Sequence, residues 1–507
     1  MLLTIVAFML ITVLVYLPGL NGGFLYDDYI NIANNVLVHP DSLTPLSLLQ
    51  ASGSFTPGGR YMSMLSFALN SYLLGPSPYG FKAVNLVIHL VNGVLIFFLT
   101  KSLIAASTSQ KDGPSLSKWL PVFIAAAWLL NPIQLTSVLY TVQRMTSLSA
   151  LFVLAGLLMY TYGRVRQQRG DSGMPLVVIG LVGGTLLAFF NKENGILLLP
   201  LALLIEMAFF RFRSASVKID WKIIALLLVI PALALVIMVV VEGYSPERLL
   251  AGYRHREFNL EERLMTEARI LWFYLRLILL PDNGLLGIWH DDIAISTTLL
   301  SPPTTIPSIF GIATLLIVGC TLLFRMPLIG MGILWFFVAH SLESTFIPLE
   351  LAHEHRNYLA SYGVLLVIFT SVSGLFGKFE KQRLGVLVML AFIAAYTVVT
   401  FERSQIWSNP VQHALVEAAN HPGSAKAQYE AGKSLIGLSA GDADLLNSGM
   451  DHLRLSAALD RTGIIADLSL MTTAQLNGIH VQRVWLENIR KTIQHYPLGG
   501  SDISALR

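Results

Sequence analysis

Apolar and polar residues along this chain are gathered in blocks rather than spread over faces. Apolar windows fall at 2–20, 82–105, 119–139, 145–162, 175–190, 195–210, 222–242, 306–324, 328–342, 357–376 and 384–400, separated by short polar or basic turns. A bilayer core of about 30 Å takes roughly 20 helical residues to cross, so the pattern predicts an all-α bundle of about eleven transmembrane helices. A twelfth run, 270–280, is short and follows a charged amphipathic stretch over 254–269. It is expected to lie in the interface or to re-enter, so that 243–305 form one extracytoplasmic loop. With that run not crossing, the basic loops at 101–118, 164–169, 211–222 and 378–383 share one side, as the positive-inside rule requires of the cytoplasm.

The first loop, 22–81, carries two stretches with the spacing of interfacial helices, 40–50 and 61–74, and the Gly58-Gly59-Arg60 turn between them presents an arginine. Beyond Phe401 the pattern changes. Residues 402–507 hold nine Lys plus Arg and ten Asp plus Glu, a soluble balance. Helices are expected at 425–438 and 450–459, in the helix-turn-helix manner of a degenerate tetratricopeptide repeat, with the Trp485 region as a cap. This divides the chain into a membrane domain, 1–400, and a small helical domain, 401–507, placed outside by an odd span count. Residues 1–20 lack a basic n-region and a small-x-small cleavage site, and read as a retained first span.

Composition agrees with a multi-pass membrane protein: 54% hydrophobic residues, 13% charged and a mean hydropathy of +0.63. The net charge of +3 is dispersed in loops, which excludes a nucleic-acid surface. The single Cys320 excludes an internal disulfide framework. There is no Gly-rich phosphate loop, GxSxG elbow or HExxH sequence, so nucleotide hydrolysis and serine-hydrolase chemistry have no support.

Chemistry is expected where polar residues crowd one face. Asp27 and Asp28 directly follow the first span; adjacent acids point apart, so one of them is expected to act as general base toward a hydroxyl. Lys192, Arg144 and Arg356 each stand beside a span on the same face, and a lysine near hydrocarbon needs an anion, either Glu193 or a substrate phosphate. His353-Glu354-His355-Arg356, with His340, His290, Asp291 and Asp292, offers a weaker alternative, a divalent metal, because spacing supplies no third ligand. A transporter would place its charges near the midplane and in two similar halves, which this chain does not do.

The order of these motifs resembles the GT-C superfamily of polytopic glycosyltransferases, and within it the transmembrane, tetratricopeptide-repeat-bearing O-mannosyltransferases and their bacterial relatives. The resemblance rests on the early acidic pair, on residues Ser77 to Leu90 opening the second span, and on the Asn131-Pro132-Ile133-Gln134 corner. Asn191-Lys192-Glu193-Asn194-Gly195 and the Glu354-His355-Arg356-Asn357-Tyr358-Leu359-Ala360-Ser361 element complete it. It implies inverting transfer of one sugar from a polyprenyl-phosphate donor to a hydroxyl acceptor on the extracytoplasmic face. The acceptor would be a Ser or Thr of an exported protein, with a lipid or surface glycan as the alternative. It implies Asp27 or Asp28 as the acidic residue that serves as base or positions the acceptor, and Lys192, Arg144 and Arg356 as the phosphate clamp. Glu193, Glu354, Arg60, Tyr358 and His355 would orient substrate, and no cofactor is required. The chain contains no Asn-x-Ser/Thr sequon, which fits a bacterial inner-membrane protein with a periplasmic site.

Overall fold

The computed structural model describes residues 2–55, 58–107, 118–215, 218–233, 236, 250–460, 462–498, 502 and 506. It is 75% helical and has no strand among the described residues. Each apolar window carries a helix: α1 Leu2–Leu20, α4 Pro78–Ala106, α5 Leu120–Leu130 with α6 Leu135–Leu139, α7 Arg144–Gln168, α8 Met174–Phe189, α9 Glu193–Phe210, α10 Trp221–Leu233, α12 Thr305–Leu323, α13 Pro327–His340, α14 Asn357–Lys378 and α15 Gln382–Ile406. Among the described residues seven of these are long and apolar enough to cross a bilayer, eight if the bent α5–α6 pair counts as one span. Among the described residues the other three helices are shorter, and residues 234–235 and 237–249, which belong to the window at 222–242 and the start of the 243–305 loop, lie outside the described residues.

In the first loop, α2 runs Pro45–Ser52, shifted from the expected 40–50 because Thr44 and Ser47 form a capping box that fixes its start. Helix α3 is Tyr61–Leu74, as its spacing predicts. The doubtful run near 270 belongs to α11, Leu260–Leu279, opened by an Asn259–Glu262 capping box. Arg263 near its start donates to the carbonyls of Glu343, Thr345 and Leu349, while the Ile278 carbonyl near its end takes Asn131 and Tyr396. Its start is thereby tied to the loop after α13 and its end to the Asn131 corner and α15, and among the described residues it is not one of the helices long and apolar enough to cross a bilayer.

Pro132 breaks the third window. Proline removes a helical N–H and drives the preceding residue out of the helical region; Asn131 is extended (φ −69°, ψ 126°), and the two halves meet at 54°. The carbonyls this exposes are used, since Thr400 donates to Leu130 O at 2.7 Å and Arg403 to Pro132 O at 3.0 Å.

Helices α13 and α14 meet through Gly332 and Gly363, where a Cβ on either would lie 2.7 or 2.5 Å from the other's carbonyl oxygen. Small residues let membrane helices approach this closely. At the far end of α7, Arg164 is not the loop cation its sequence position suggests. It is fully buried, 2.8 Å from Glu206, with Tyr160 bonded to the same carboxylate.

Helix α15 continues unbroken through residue 401, so the change in composition is not a helix boundary. It leads into α16 Pro410–Asn420, α17 Ala425–Ser439, α18 Ala443–Leu459, α19 Ile465–Leu476 and α20 Arg483–His495. These build a second small core in which Trp485 packs with Met450, Leu453, Leu470 and Ala474.

Candidate functional site

Tyr26, whose left-handed backbone (φ 41°) turns the chain after α1, is followed by two acids whose side chains point apart. Asp28 points inward and is fully buried. Its Oδ1 accepts the Val142 amide at 2.6 Å and its Oδ2 those of Leu25 and Thr141 at 3.1 and 3.3 Å, binding the first loop to the corner before α7. Burial pushes this carboxyl upward, and the three N–H bonds and nearby Lys82 oppose it. Asp27 points the other way. It is exposed to a cavity of about 850 Å³, and its amide donates to the Tyr140 hydroxyl at 3.0 Å. Enclosure by the cavity walls, and then the charge of Glu350, raise the Asp27 carboxyl above its ordinary value, against the pull of His353, Tyr140 and Lys426.

The cavity lies at the end of the bundle where α7 begins and α13 ends. Loops of the membrane helices supply Asp27, Tyr140, Trp289, His353 and His355 to its wall, and the tail supplies Lys426, Tyr429 and Glu430 from α17. His353 and His355 are stacked, with centroids 5.1 Å apart and 21° between planes.

The expected cation clamp is only partly assembled. Arg144 does not reach the cavity. It is fully buried, and its guanidinium donates to Asn85 Oδ1 and Asn70 Oδ1 at 2.6 Å, Phe81 O at 2.9 Å and Ser66 O at 3.1 Å, with Phe67 stacked against it. Its partners come from α3 and α4, so Arg144 joins three helices. Lys192 is buried and has its anion, which is not Glu193: Nζ lies 3.2 Å from Glu343 and 3.1 Å from Thr146 Oγ1. Glu193 instead pairs with Arg60 at 3.4 Å, while Arg60 stacks on Phe55. Burial acts against the charge of both partners of the Lys192–Glu343 pair. On Glu343 it is outweighed by Lys192, Arg356 and Asn194, which hold the carboxyl down at about 2. On Lys192 burial prevails and depresses the ammonium. The carboxylate, with several donors, is the fixed charge of the pair.

Arg356 donates to Leu351 O at 2.9 Å and Glu350 O at 2.8 Å, and its buried Nε has no hydrogen-bond partner among the described residues. Lys192, Arg356 and Arg60 all face His355, so the positive charge that does gather stands behind this one cavity residue. Glu354 is buried rather than open: its Oε1 takes the Gly287 amide at 2.7 Å and its Oε2 meets Arg403 at 2.7 Å. Tyr358 lies deeper, bonded to His89 at 2.9 Å and Asn92 at 3.0 Å and packed on Trp128, away from the cavity.

Residues that sequence reasoning passed over are Glu343, Arg403, Glu350 and Lys426. Only the rule that buried charges find partners pointed toward them, and it names no partner. Among the described residues no three His, Cys, Asp or Glu side chains gather into a metal-holding group. His340 stacks on Tyr274 and bonds Asn357, while Asp291 and Asp292 bind Ser424 and His421 of the tail.

No family model matches the chain, and no solved structure matches it. Curated proteins do. The protein O-mannosyl-transferase F38B6.6 of Caenorhabditis elegans is 24% identical over 445 residues, covering 84% of this chain and 59% of that protein. The protein O-mannosyl-transferase TMTC1 of Mus musculus is 28% identical over 210 residues, and TMTC3 of Homo sapiens 26% over 204, each covering 38% of this chain and about a fifth of its own length. The chain thus spans about three-fifths of the worm relative and a smaller share of the others. The likeness read from the order of motifs is met by these proteins, and the curated homologues of this multi-pass membrane chain are TMTC-family protein O-mannosyltransferases of the GT-C superfamily.

Proposed function

We propose that the cavity is the active site of a membrane glycosyltransferase that moves one sugar from a polyprenyl-phosphate donor to a hydroxyl of a polypeptide. The observation that carries the reading is the division of labour between neighbours: Asp28 is consumed by three backbone amides, and Asp27 stands open in the cavity with its carboxyl raised by enclosure. A carboxylate so placed takes the hydroxyl proton as the oxygen attacks the anomeric carbon. The bond from that carbon to the phosphate oxygen breaks, its electrons leave with the phosphate, and configuration inverts.

The departing phosphate needs positive charge near the point where its own charge develops. The arginines on the cavity wall itself are Arg254 and Arg256, while Arg60, Arg356 and Lys192, the last already engaged by Glu343, add positive charge from behind His355. The relatives named as protein O-mannosyl-transferases favour a mannosyl donor and a protein acceptor. We place the cavity on the extracytoplasmic side, periplasmic in a bacterial inner membrane. The basic loops 164–169 and 211–222 support this, since they meet at the opposite end of α7, about 37 Å away at 1.5 Å per residue.

The test is transfer by purified protein in lipid nanodiscs from radiolabelled polyprenyl-phosphate mannose and other sugars, with Ser/Thr peptides, lipid and glycan acceptors in separate arms. Asp27→Asn is expected to lose transfer on the order of 10²- to 10⁴-fold. Wild-type rates in Asp27→Asn would remove it as base; transfer confined to the lipid or glycan arm would overturn the protein acceptor.

A further inference from the structure

Glu350 is a meeting point for three side chains from three elements. Its Oε1 lies 3.2 Å from Arg256 Nη1 and 3.7 Å from Lys426 Nζ, and its Oε2 lies 3.8 Å from His353 Nε2. Arg256 precedes α11, His353 belongs to the loop between α13 and α14, and Lys426 is the second residue of α17 in the tail. The Lys426 ammonium also sits 5.0 Å over the Trp289 ring.

The position of Lys426 is not left to a flexible side chain alone. Ser424 caps α17 and donates to Asp291, the Lys426 amide donates to the other oxygen of Asp291 at 3.3 Å, and His421 bonds Asp292 at 3.0 Å. Asp291 and Asp292 thereby form a socket that holds the corner before α17 against the membrane domain. Asp27 shares the cavity wall with Tyr140 from the corner before α7, with Arg254 and Arg256 from before α11, with Glu350, His353 and His355 from the loop after α13, and with Lys426 and Glu430 from the tail.

We propose that Lys426 is a positioning residue of the site: by pairing with Glu350 on the cavity wall that Asp27 shares, it makes the C-terminal helices part of the catalytic unit rather than an appended binding module. This rests on the reading of Asp27 given above. Removing the ammonium takes a positive neighbour from Asp27 and leaves Glu350 less neutralised, and both changes disfavour the Asp27 carboxylate. Asp27 then holds its proton to higher pH. Removing the Glu350 charge does the reverse.

The experiment follows Asp27 directly. Full-length protein in nanodiscs is treated with a water-soluble carbodiimide, which modifies protonated carboxyls, and the extent of Asp27 modification is read by peptide mass spectrometry from pH 4 to 8. Lys426→Met is expected to move the midpoint up by about half a unit or more, Lys426→Arg to leave it at the wild-type value, and Glu350→Gln to move it down. Lys426 is half-exposed, so its substitution does not threaten the fold. A wild-type midpoint in Lys426→Met overturns the proposal, whether or not Glu350→Gln shifts. The pH profile of transfer, measured on the same variants, separates the two claims. If the midpoint moves and the acid limb of the rate does not, Asp27 is not the base and the placement of Lys426 stands.

Discussion

The Asp28 carboxylate accepts the Val142 amide at 2.6 Å across 114 residues of chain, and this bond decides what each of two adjacent acids is free to do. Replacing Asp28 by Ala strands three buried amides, each worth about 1–3 kcal/mol when left unsatisfied. Thermal unfolding of Asp28→Ala in detergent is expected to show a loss of about 3 kcal/mol or more, whereas Asp27→Asn, with its side chain in the cavity, should unfold within about 0.5 kcal/mol of wild type. Equal destabilisation by the two would contradict the geometry.

Glu343 ties its stability to pH. Its folded value of about 2 lies below the ordinary unfolded value near 4.3, so its contribution is fully present above the latter and is lost as pH falls through the former. About 3 kcal/mol should disappear between about pH 5 and pH 2. The double variant Lys192→Met, Glu343→Gln should show a flatter decline over that window, while Lys192→Met alone, which leaves a buried carboxylate without its ammonium, should be the least stable of the set at pH 7.

Arg144 separates a structural cation from a substrate-binding one. Arg144→Ala leaves Asn85, Asn70 and two carbonyls without their donor, and a cost of about 3–5 kcal/mol is expected from breaking a buried charge network. Donor affinity of the folded fraction, measured by filter binding, should stay close to wild type. A large drop in affinity with an unchanged melting temperature would restore Arg144 to the phosphate site.

The α13–α14 contact gives a prediction with its own control. Gly332→Ala places a methyl 2.7 Å from Gly363 O, and the helices must separate, at about 1–3 kcal/mol. Gly374→Ala, on α14 but with nothing within 4 Å of the new Cβ, should unfold at or slightly above the wild-type temperature.

Much of the fold was open to reading because it is written in local terms. A helix such as α3 begins after a Gly-Gly turn and ends at Gly75, and its spacing gave both ends. Charge was harder. Lys192 announced that it needed an anion, but Glu343 lies 151 positions away, and nothing near Lys192 distinguishes it from the adjacent Glu193. Arg144 read as a phosphate-clamp cation and Arg164 as a loop cation because sequence position reports the nearness of a helix end and not the side on which the side chain is buried. The acidic pair at 291–292 drew notice as chemistry and turned out to be a socket, since its partners, Ser424 and His421, sit on a separate stretch of the tail.

The break at Pro132 has a mechanical consequence. Arg403, on the last turns of α15, holds Pro132 O with one nitrogen and Glu354 with another, and Glu354 in turn holds the Gly287 amide. Because α15 runs straight into the tail, a rotation of that helix about its axis pulls on the broken span, the Glu354 turn and the Gly287 loop together. The helix that carries the tail, the broken span, the Glu354 turn and the Gly287 loop on the cavity wall thus share one anchor, the Arg403 guanidinium.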